Sequence, residues 1–124
     1  MENFKVITHE ELKKKIDSKE NFALIDTLGE FSYDRAHLPG AVMIDGHQSD
    51  FVAQVEKKFP DKNQEIVVYC ASFSCPLSGE AATRLSITGY KKVFALEGGL
   101  MDWAKAGYDF EGNQAKEMKE RWSK

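Results

Sequence analysis

Short apolar segments alternate with amphipathic segments along the chain. Four runs of four apolar residues predict buried strands, at residues 22–25, 41–44, 66–69 and 93–96. Between and around them, apolar residues recur at helical spacing, which predicts helices over residues 9–19, 30–36, 51–59, 76–89 and 100–106. Strands that alternate with helices indicate an α/β domain with a mainly parallel sheet.

Capping and breaking residues mark the limits of several predicted elements. Thr8 followed by Glu11 has the pattern of a capping box, in which each side chain binds the backbone N–H of the other residue. The segment 37–40 ends in Pro-Gly and predicts a break in the chain before the second strand. Pro76 suits the first turn of a helix and Gly89 suits a helix end, so the helix after the third strand is well delimited.

Length, composition and charge restrict the class of protein. The 124 residues suit one domain. Because 42% of them are apolar, the chain is not expected to be disordered. Its net charge of −3 argues against nucleic acid as the main partner. No apolar run approaches the roughly 20 residues of a membrane helix. Residues 1–6 also lack the features of a secretory signal. We therefore expect a cytoplasmic domain over residues 1–110, followed by a polar, helical extension over residues 111–124.

Cys70 and Cys75 are the only cysteines of the chain. Two cysteines are too few for a disulfide framework, and their spacing without a second ligand pair does not make a structural zinc site. The three histidines are scattered and form no ligand motif. We therefore expect no bound metal.

Cys70 directly follows the third predicted strand and precedes a loop that enters a helix. Ligands of open parallel sheets bind beyond the carboxyl ends of the strands, and a helix N-terminus presents unpaired N–H groups. Such groups would stabilise a thiolate and lower the pKa of Cys70. The small side chains of Ala71, Ser72 and Ser74 would let the loop curl around a sulfur atom. Position alone slightly favours the alternative, a small, buried cysteine at a strand end.

A set of short motifs resembles the rhodanese (sulfurtransferase) domain family in order and spacing, across about residues 5 to 110. The most specific of these motifs are His37-Leu38-Pro39-Gly40-Ala41 and the Gly98-Gly99…Trp103…Gly107 ending. The resemblance implies an α/β sandwich built on a five-stranded, mainly parallel sheet with helices on both faces. It also implies that His37 belongs to a structural turn.

The resemblance further implies that the protein is a single-domain sulfurtransferase or persulfide carrier with a two-cysteine active loop. Cys70 falls on the position of the family's catalytic cysteine, which carries sulfur as a persulfide. Residues 71–75 would then bind the substrate, namely Ala71, Ser72, Phe73, Ser74 and Cys75, with Asp26 and Ser78 supporting the loop. The expected partners are a small-molecule or protein sulfur donor and a thiol acceptor. No cofactor is needed, because the sulfur itself is the carried group.

The active loop departs from the common family pattern in charge and length. The family's strand-end arginine is replaced in Asp26-Thr27-Leu28, the loop lacks the usual glycine and arginine, and it is about two residues longer. No cationic side chain lies between Cys70 and Glu80. Since thiosulfate is a dianion, we expect at best modest activity with it and a preference for donors of low charge.

Cys75 has two interpretations, and the protein has three rival functions. Cys75 could resolve a persulfide on Cys70, or it could simply start the next helix with its side chain against the core. The first rival function is a thiol redox switch formed by Cys70 and Cys75. The second is a catalytically silent module that binds a partner through the exposed Phe73. The third is a phosphatase or arsenate reductase, which would need an oxyanion-binding arginine that residues 76–78 do not supply.

Overall fold

The computed structural model describes residues 4–124, and its elements follow the predicted alternation of strands and helices. The strands are β1 (Lys5–Val6), β2 (Ala23–Asp26), β3 (Val42–Met43), β4 (Glu65–Tyr69) and β5 (Lys92–Leu96). The helices are α1 (His9–Asp17), α2 (Glu30–Arg35), α3 (Phe51–Lys58), α4 (Leu77–Thr88), α5 (Gly99–Lys105) and α6 (Ala115–Trp122). The predicted capping box is present at the start of α1, where Thr8 and Glu11 bind each other's backbone N–H groups.

The five strands form one sheet in the order β1-β5-β4-β2-β3, and every neighbouring pair is parallel. The predicted five-stranded parallel sheet is therefore confirmed. β4 is the central strand and pairs with β2 on one side and β5 on the other. Its β-branched residues suit this position, because a strand covered on both faces buries every side chain.

Helices cover both faces of the sheet, as predicted, and each face has its own core. Alternate residues of β4 point to opposite faces, so Val67 and Tyr69 enter one core while Ile66 and Val68 enter the other. The first core is completed from α1, α5 and α6, notably by Leu12, Leu100, Trp103 and Met118. The second is completed from α3 and α4, notably by Phe51, Val55, Ala81, Ala82 and Leu85.

The edge strand β1 is not among the strands that the hydrophobic pattern predicts. β1 contains two residues, Lys5 and Val6, whose side chains are both exposed, and it pairs only with Phe94 and Ala95. A segment this short shows no alternation of apolar and polar positions, so no pattern distinguishes it from a loop. The opposite edge strand, β3, is also reduced to two residues, because only Val42 and Met43 pair with β2.

The C-terminal segment packs against the rest of the chain. Within α6, Met118 is buried in the first core, and Trp122 packs edge-on against Phe110. An antiparallel bridge between His37 and Glu111 attaches the start of this segment to the turn before β3. No helix in residues 4–124 has both the length and the apolar character needed to cross a membrane.

Candidate active site

Cys70 lies at the carboxyl end of β4, directly after the last residue of the central strand. Its side chain is fully buried, whereas Cys75 at the far end of the following loop is partly exposed, and both thiols are free. The end of the central strand is where parallel α/β sheets place ligands. The chain thus brings two thiols together at the position best suited to a site.

The loop between the two cysteines folds back on itself through a single turn. The backbone N–H of Cys75 donates to the carbonyl oxygen of Ser72 at 3.0 Å, which closes a turn over residues 72–75. This turn places the Cys75 carbonyl oxygen 3.5 Å from Cys70 Sγ, which donates a weak hydrogen bond to it. Phe73, at the tip of the turn, is 74% exposed. The turn therefore covers Cys70 with the backbone of Cys75.

The start of α5 holds the first two carbonyl groups of the loop. The N–H of Leu100 donates to Cys70 O and the N–H of Met101 donates to Ala71 O, both at 3.0 Å. Gly99 permits this approach, because its φ is +58° and a Cβ there would lie 2.2 Å from Cys70 O. In the sequence, Gly99 belongs to the Gly98-Gly99 motif, whose order and spacing by themselves do not indicate this contact. The Gly-Gly pair before a short helix was the available signal for so close a backbone contact.

Thr27 fixes the other side of the strand end. Its backbone N–H and its hydroxyl both donate to the carbonyl oxygen of Tyr69, at 3.1 and 2.8 Å. The Thr27 carbonyl in turn accepts from the N–H of Gly46 at 2.9 Å. Thr27 is fully buried, and no sequence signal indicates its role, because it occupies the unspecified middle position of the Asp-x-Arg pattern.

Asp26 does not hydrogen-bond to the amides of the active loop, contrary to our expectation. Its carboxylate accepts from the N–H of Leu28 and from the hydroxyl of Tyr69, both at 2.9 Å. The cause is register: Asp26 pairs with Tyr69, and paired residues of parallel strands point to the same face of the sheet. Cys70, one residue further, points the other way. Burial raises the pKa of Asp26 to about 6, although the two hydrogen bonds favour its ionised form.

Ser78, the second residue of α4, is buried against the sulfur of Cys70. The Ser78 hydroxyl and backbone N–H favour the Cys70 thiolate and act to lower its pKa. Burial and the neighbouring Cys75 outweigh Ser78, so the pKa of Cys70 is raised above its usual value. The expected lowering of the Cys70 pKa is therefore wrong for this arrangement, because the loop removes the thiol from water.

The ionisable sulfur of lower pKa belongs to Cys75. Burial opposes its ionisation, but the backbone N–H groups of Ala71 and Leu77 and the Cys70 thiol interact with its sulfur and together lower its pKa. The carboxylate of Glu80 opposes this effect. When two interacting thiols share one negative charge, that charge resides mainly on the better stabilised sulfur. At this site that sulfur is Cys75.

The side chains around the loop supply little positive charge. Arg84, on the next turns of α4, donates instead to the carbonyl oxygens of Gly46 and Gln48, at 3.1 and 3.2 Å. Arg35 is occupied by Gln114 and Met118 of the C-terminal segment. Within residues 4–124, no three His, Cys, Asp or Glu side chains are grouped in a way that could hold a metal ion.

A cleft of about 230 Å³ opens beside the loop tip. Phe73 lines it together with Val6, His9 and Asp102. The imidazole Nδ1 of His9 and the Asp102 carboxylate lie 2.9 Å apart and form one wall.

His37 lies away from the two cysteines and holds a turn. Its ring stacks on Tyr33 with 3.8 Å between centroids, and its Nδ1 lies 2.7 Å from the Tyr33 carbonyl oxygen. The next residue, Leu38, donates its N–H to the hydroxyl of Tyr69 at 3.0 Å. The 37–41 motif thus supports the end of β4 from the face opposite Cys70.

Two known proteins similar in sequence to this chain are named for sulfur chemistry. A Bacillus subtilis (strain 168) protein named "Putative sulfur carrier protein YrkF" is 32% identical over 97 residues, covering 78% of this chain and 49% of that protein. The chain therefore spans about half the length of this relative. The thiosulfate:glutathione sulfurtransferase of Saccharomyces cerevisiae (strain ATCC 204508 / S288c) is 26% identical over 117 residues, covering 86% of this chain and 83% of that enzyme.

Solved structures agree with the observed architecture. The solution structure of the rhodanese-like domain of the Anabaena sp. protein Alr3790 matches with a TM-score of 0.78 and 26% identity, covering 92% of this chain and 82% of that one. The family description "Rhodanese-like domain" matches residues 8–106. These residues include both cysteines and all the strands except β1. With the fold, the motifs and this match in agreement, the chain belongs to the rhodanese-like domain family.

Proposed function

We propose that this protein is a sulfurtransferase or persulfide carrier in which Cys70 accepts sulfane sulfur and passes it to a thiol or another nucleophile. The observation that carries the proposal is the place of Cys70, at the end of the central strand, where the nearby Ser78 hydroxyl and N–H favour ionisation of its sulfur. The Cys70 thiolate is the form that must attack the sulfur donor, and it must leave again after transfer. The family and the names of the relatives support the same chemistry.

The reaction balances without a cofactor. Cys70 Sγ attacks the outer sulfur of a persulfide donor, a new S–S bond forms, and the donor's inner sulfur leaves as a thiol that takes up the Cys70 proton. A nucleophilic acceptor then attacks the outer sulfur on Cys70, and the Cys70 thiolate leaves. Because Cys70 is fully covered, the turn over residues 72–75 has to swing aside before a donor can reach it.

The charge of the loop favours persulfides over thiosulfate. No cationic side chain lies between Cys70 and Glu80, and Arg84 is held by backbone carbonyls. Glu80 adds a negative charge close to Cys75. A dianionic donor is therefore disfavoured, whereas a small-molecule or protein persulfide brings less charge to the loop. The loop residues Ala71, Ser72, Phe73, Ser74 and Cys75 would surround the carried sulfur.

A turnover assay tests the function. The protein is supplied separately with thiosulfate, mercaptopyruvate and glutathione persulfide, and sulfur transfer to an acceptor thiol is followed. We expect fastest transfer from the persulfide and a loss on the order of 10³-fold or more in Cys70→Ser, because the nucleophile is removed. Equal turnover by the wild type and Cys70→Ser with every donor would refute the proposal.

A further inference from the structure

The structure places Cys75 beside Cys70, at the other end of the same short loop, and the two thiols interact. The 72–75 turn brings Cys75 back over the strand end, with its carbonyl oxygen 3.5 Å from Cys70 Sγ. Cys75 is partly exposed while Cys70 is fully covered, and both are free thiols. A movement of the turn that brings the two Cα atoms to about 4.4–6.8 Å would allow these cysteines to form a disulfide.

The surroundings of the Cys75 sulfur suit a nucleophile. The N–H groups of Ala71 and Leu77 interact with this sulfur from the two ends of the loop. The peptide that carries the Ala71 N–H is fixed in orientation, because the carbonyl oxygen on its opposite side, that of Cys70, is bound by the N–H of Leu100 at 3.0 Å. The N–H of Leu77 belongs to the first turn of α4, where helical N–H groups have no intrahelical partner. Two fixed donors thus hold the Cys75 thiolate next to Cys70.

We propose that Cys75 resolves the persulfide on Cys70, so that the loop releases hydrosulfide and closes as a Cys70–Cys75 disulfide. This inference rests on the function proposed above. The Cys75 thiolate attacks the inner sulfur, Cys70 Sγ, and a bond forms between the two cysteine sulfurs. The bond between Cys70 Sγ and the outer sulfur breaks, and its electron pair leaves with the outer sulfur as HS⁻. The sulfane sulfur is reduced and the two cysteines are oxidised, so no external oxidant is needed.

The same geometry decides between resolution and transfer to an external acceptor. Cys75 is tethered beside Cys70, whereas an external thiol has to enter past Phe73 and the turn. Intramolecular attack benefits from a high effective concentration, so resolution competes well unless an acceptor is bound in place. Two equivalents of a low-molecular-weight thiol then reduce the disulfide and restore both cysteines. The loop would therefore act as a persulfide reductase when no acceptor is present.

The test compares four forms of the protein after one addition of glutathione persulfide and removal of excess donor. These are the wild type, Cys70→Ser, Cys75→Ser, and Cys75→Ser combined with Ile87→Cys. The last form keeps two thiols but moves the second to an exposed position on α4, about 15 Å beyond Leu77 along the helix. Intact mass and released sulfide are measured without added reductant.

The proposal predicts a wild type that has lost two hydrogen atoms and released one hydrosulfide per chain. Both forms with Cys75→Ser should instead keep one extra sulfur and release sulfide at least tenfold more slowly. A wild type that keeps the extra sulfur as long as Cys75→Ser would overturn the role of Cys75 while leaving Cys70 as the carrier. Failure of Cys75→Ser to take up sulfur at all would instead overturn the function proposed above. Sulfide release by the Ile87→Cys form at the wild-type rate would show that no tethered thiol is required.

Discussion

The backbone N–H of Leu100 donates to the carbonyl oxygen of Cys70 at 3.0 Å, so the first turn of α5 is hydrogen-bonded directly to the residue that ends the central strand. This hydrogen bond fixes the orientation of the peptide group between Cys70 and Ala71. Its neighbour, the bond from Met101 N–H to Ala71 O, fixes the next peptide in the same way. The loop is therefore rigid at its start and depends on the 72–75 turn for its remaining shape.

Gly99→Ala should disrupt this contact. An added Cβ would lie 2.2 Å from Cys70 O, and the backbone φ of +58° is unfavourable for alanine. We expect the free energy of unfolding to fall by about 3 kcal/mol or more, and sulfur uptake by the remaining folded protein to fall as well. Chemical denaturation and intact mass after persulfide treatment measure the two effects.

Gly107→Ala is the matched control for backbone strain. Gly107 also has a positive φ, +86°, but a Cβ there would meet no atom within 4 Å. This substitution should cost about 1–2 kcal/mol and leave sulfur uptake unchanged. If Gly99→Ala behaves like Gly107→Ala in both measurements, the close approach of α5 to Cys70 has no role in the site.

Iodoacetamide should modify Cys75 before Cys70 at neutral pH. Cys75 is more exposed and has the lower pKa, because the Ala71 and Leu77 N–H groups favour its thiolate, whereas burial raises the pKa of Cys70. A quenched time course with fragment mapping of the labelled peptide gives the order. Earlier labelling of Cys70 would contradict our assignment of the negative charge to the Cys75 sulfur.

The same labelling followed across pH tests the contact between the two thiols. Since the Cys70 thiol contributes to lowering the pKa of Cys75, Cys70→Ala removes this interaction and should move the midpoint of Cys75 labelling to a higher pH. An identical midpoint in both proteins would mean that the two side chains do not interact in solution.

Glu80→Lys should improve the use of thiosulfate. The substitution replaces a negative charge that acts on Cys75 by a positive one, beside a loop without cations. We expect thiosulfate-dependent turnover to rise by about 3- to 10-fold at low ionic strength and the gain to shrink in salt, which screens exposed charges. Glu117→Lys on α6 carries the same charge change away from the loop and should have no such effect. An equal gain in both variants would indicate a general effect of net charge.

Asp26 should give the protein a measurable dependence of stability on pH. Burial raises its pKa to about 6, from about 3.9 in an unfolded chain, so the folded state binds this proton more tightly. Its contribution is present in full below about pH 4 and is lost as the pH rises through 6, by about 3 kcal/mol in total. The difference in unfolding free energy between the wild type and Asp26→Asn should show this fall. Parallel curves for the two proteins between pH 4 and 7 would contradict it.

The elements that the sequence predicts best are those with a strong local pattern. The β-branched run of β4 and the capping box of α1 are determined by residues within a few positions of each other. β1 is the opposite case, because Lys5 and Val6 form a strand only through pairing with a segment about 90 residues away. Such pairing leaves no periodic signal in two exposed residues.

The site follows the same division between local and distant causes. The place of Cys70 at a strand end can be read from the apolar run before it and the helix after it. The face of the sheet toward which Asp26 points depends on its register against Tyr69 on another strand. The raised pKa of Cys70 depends on its burial by the turn that is closed between Ser72 and Cys75. Neither relationship can be derived from sequence spacing alone. The close approach of Gly99 to Cys70 likewise joins two segments that are distant in the chain.

Locating the added sulfur is the most direct test that Cys70 is the carrier. Cys75→Ser and Cys70→Ser are each treated with glutathione persulfide and alkylated, and the peptide containing residues 70–75 is fragmented in a mass spectrometer. Our account predicts one extra sulfur on Cys70 in Cys75→Ser and no stable extra sulfur in Cys70→Ser. An extra sulfur on Cys75 in Cys70→Ser, with Cys70 unmodified in Cys75→Ser, would contradict it.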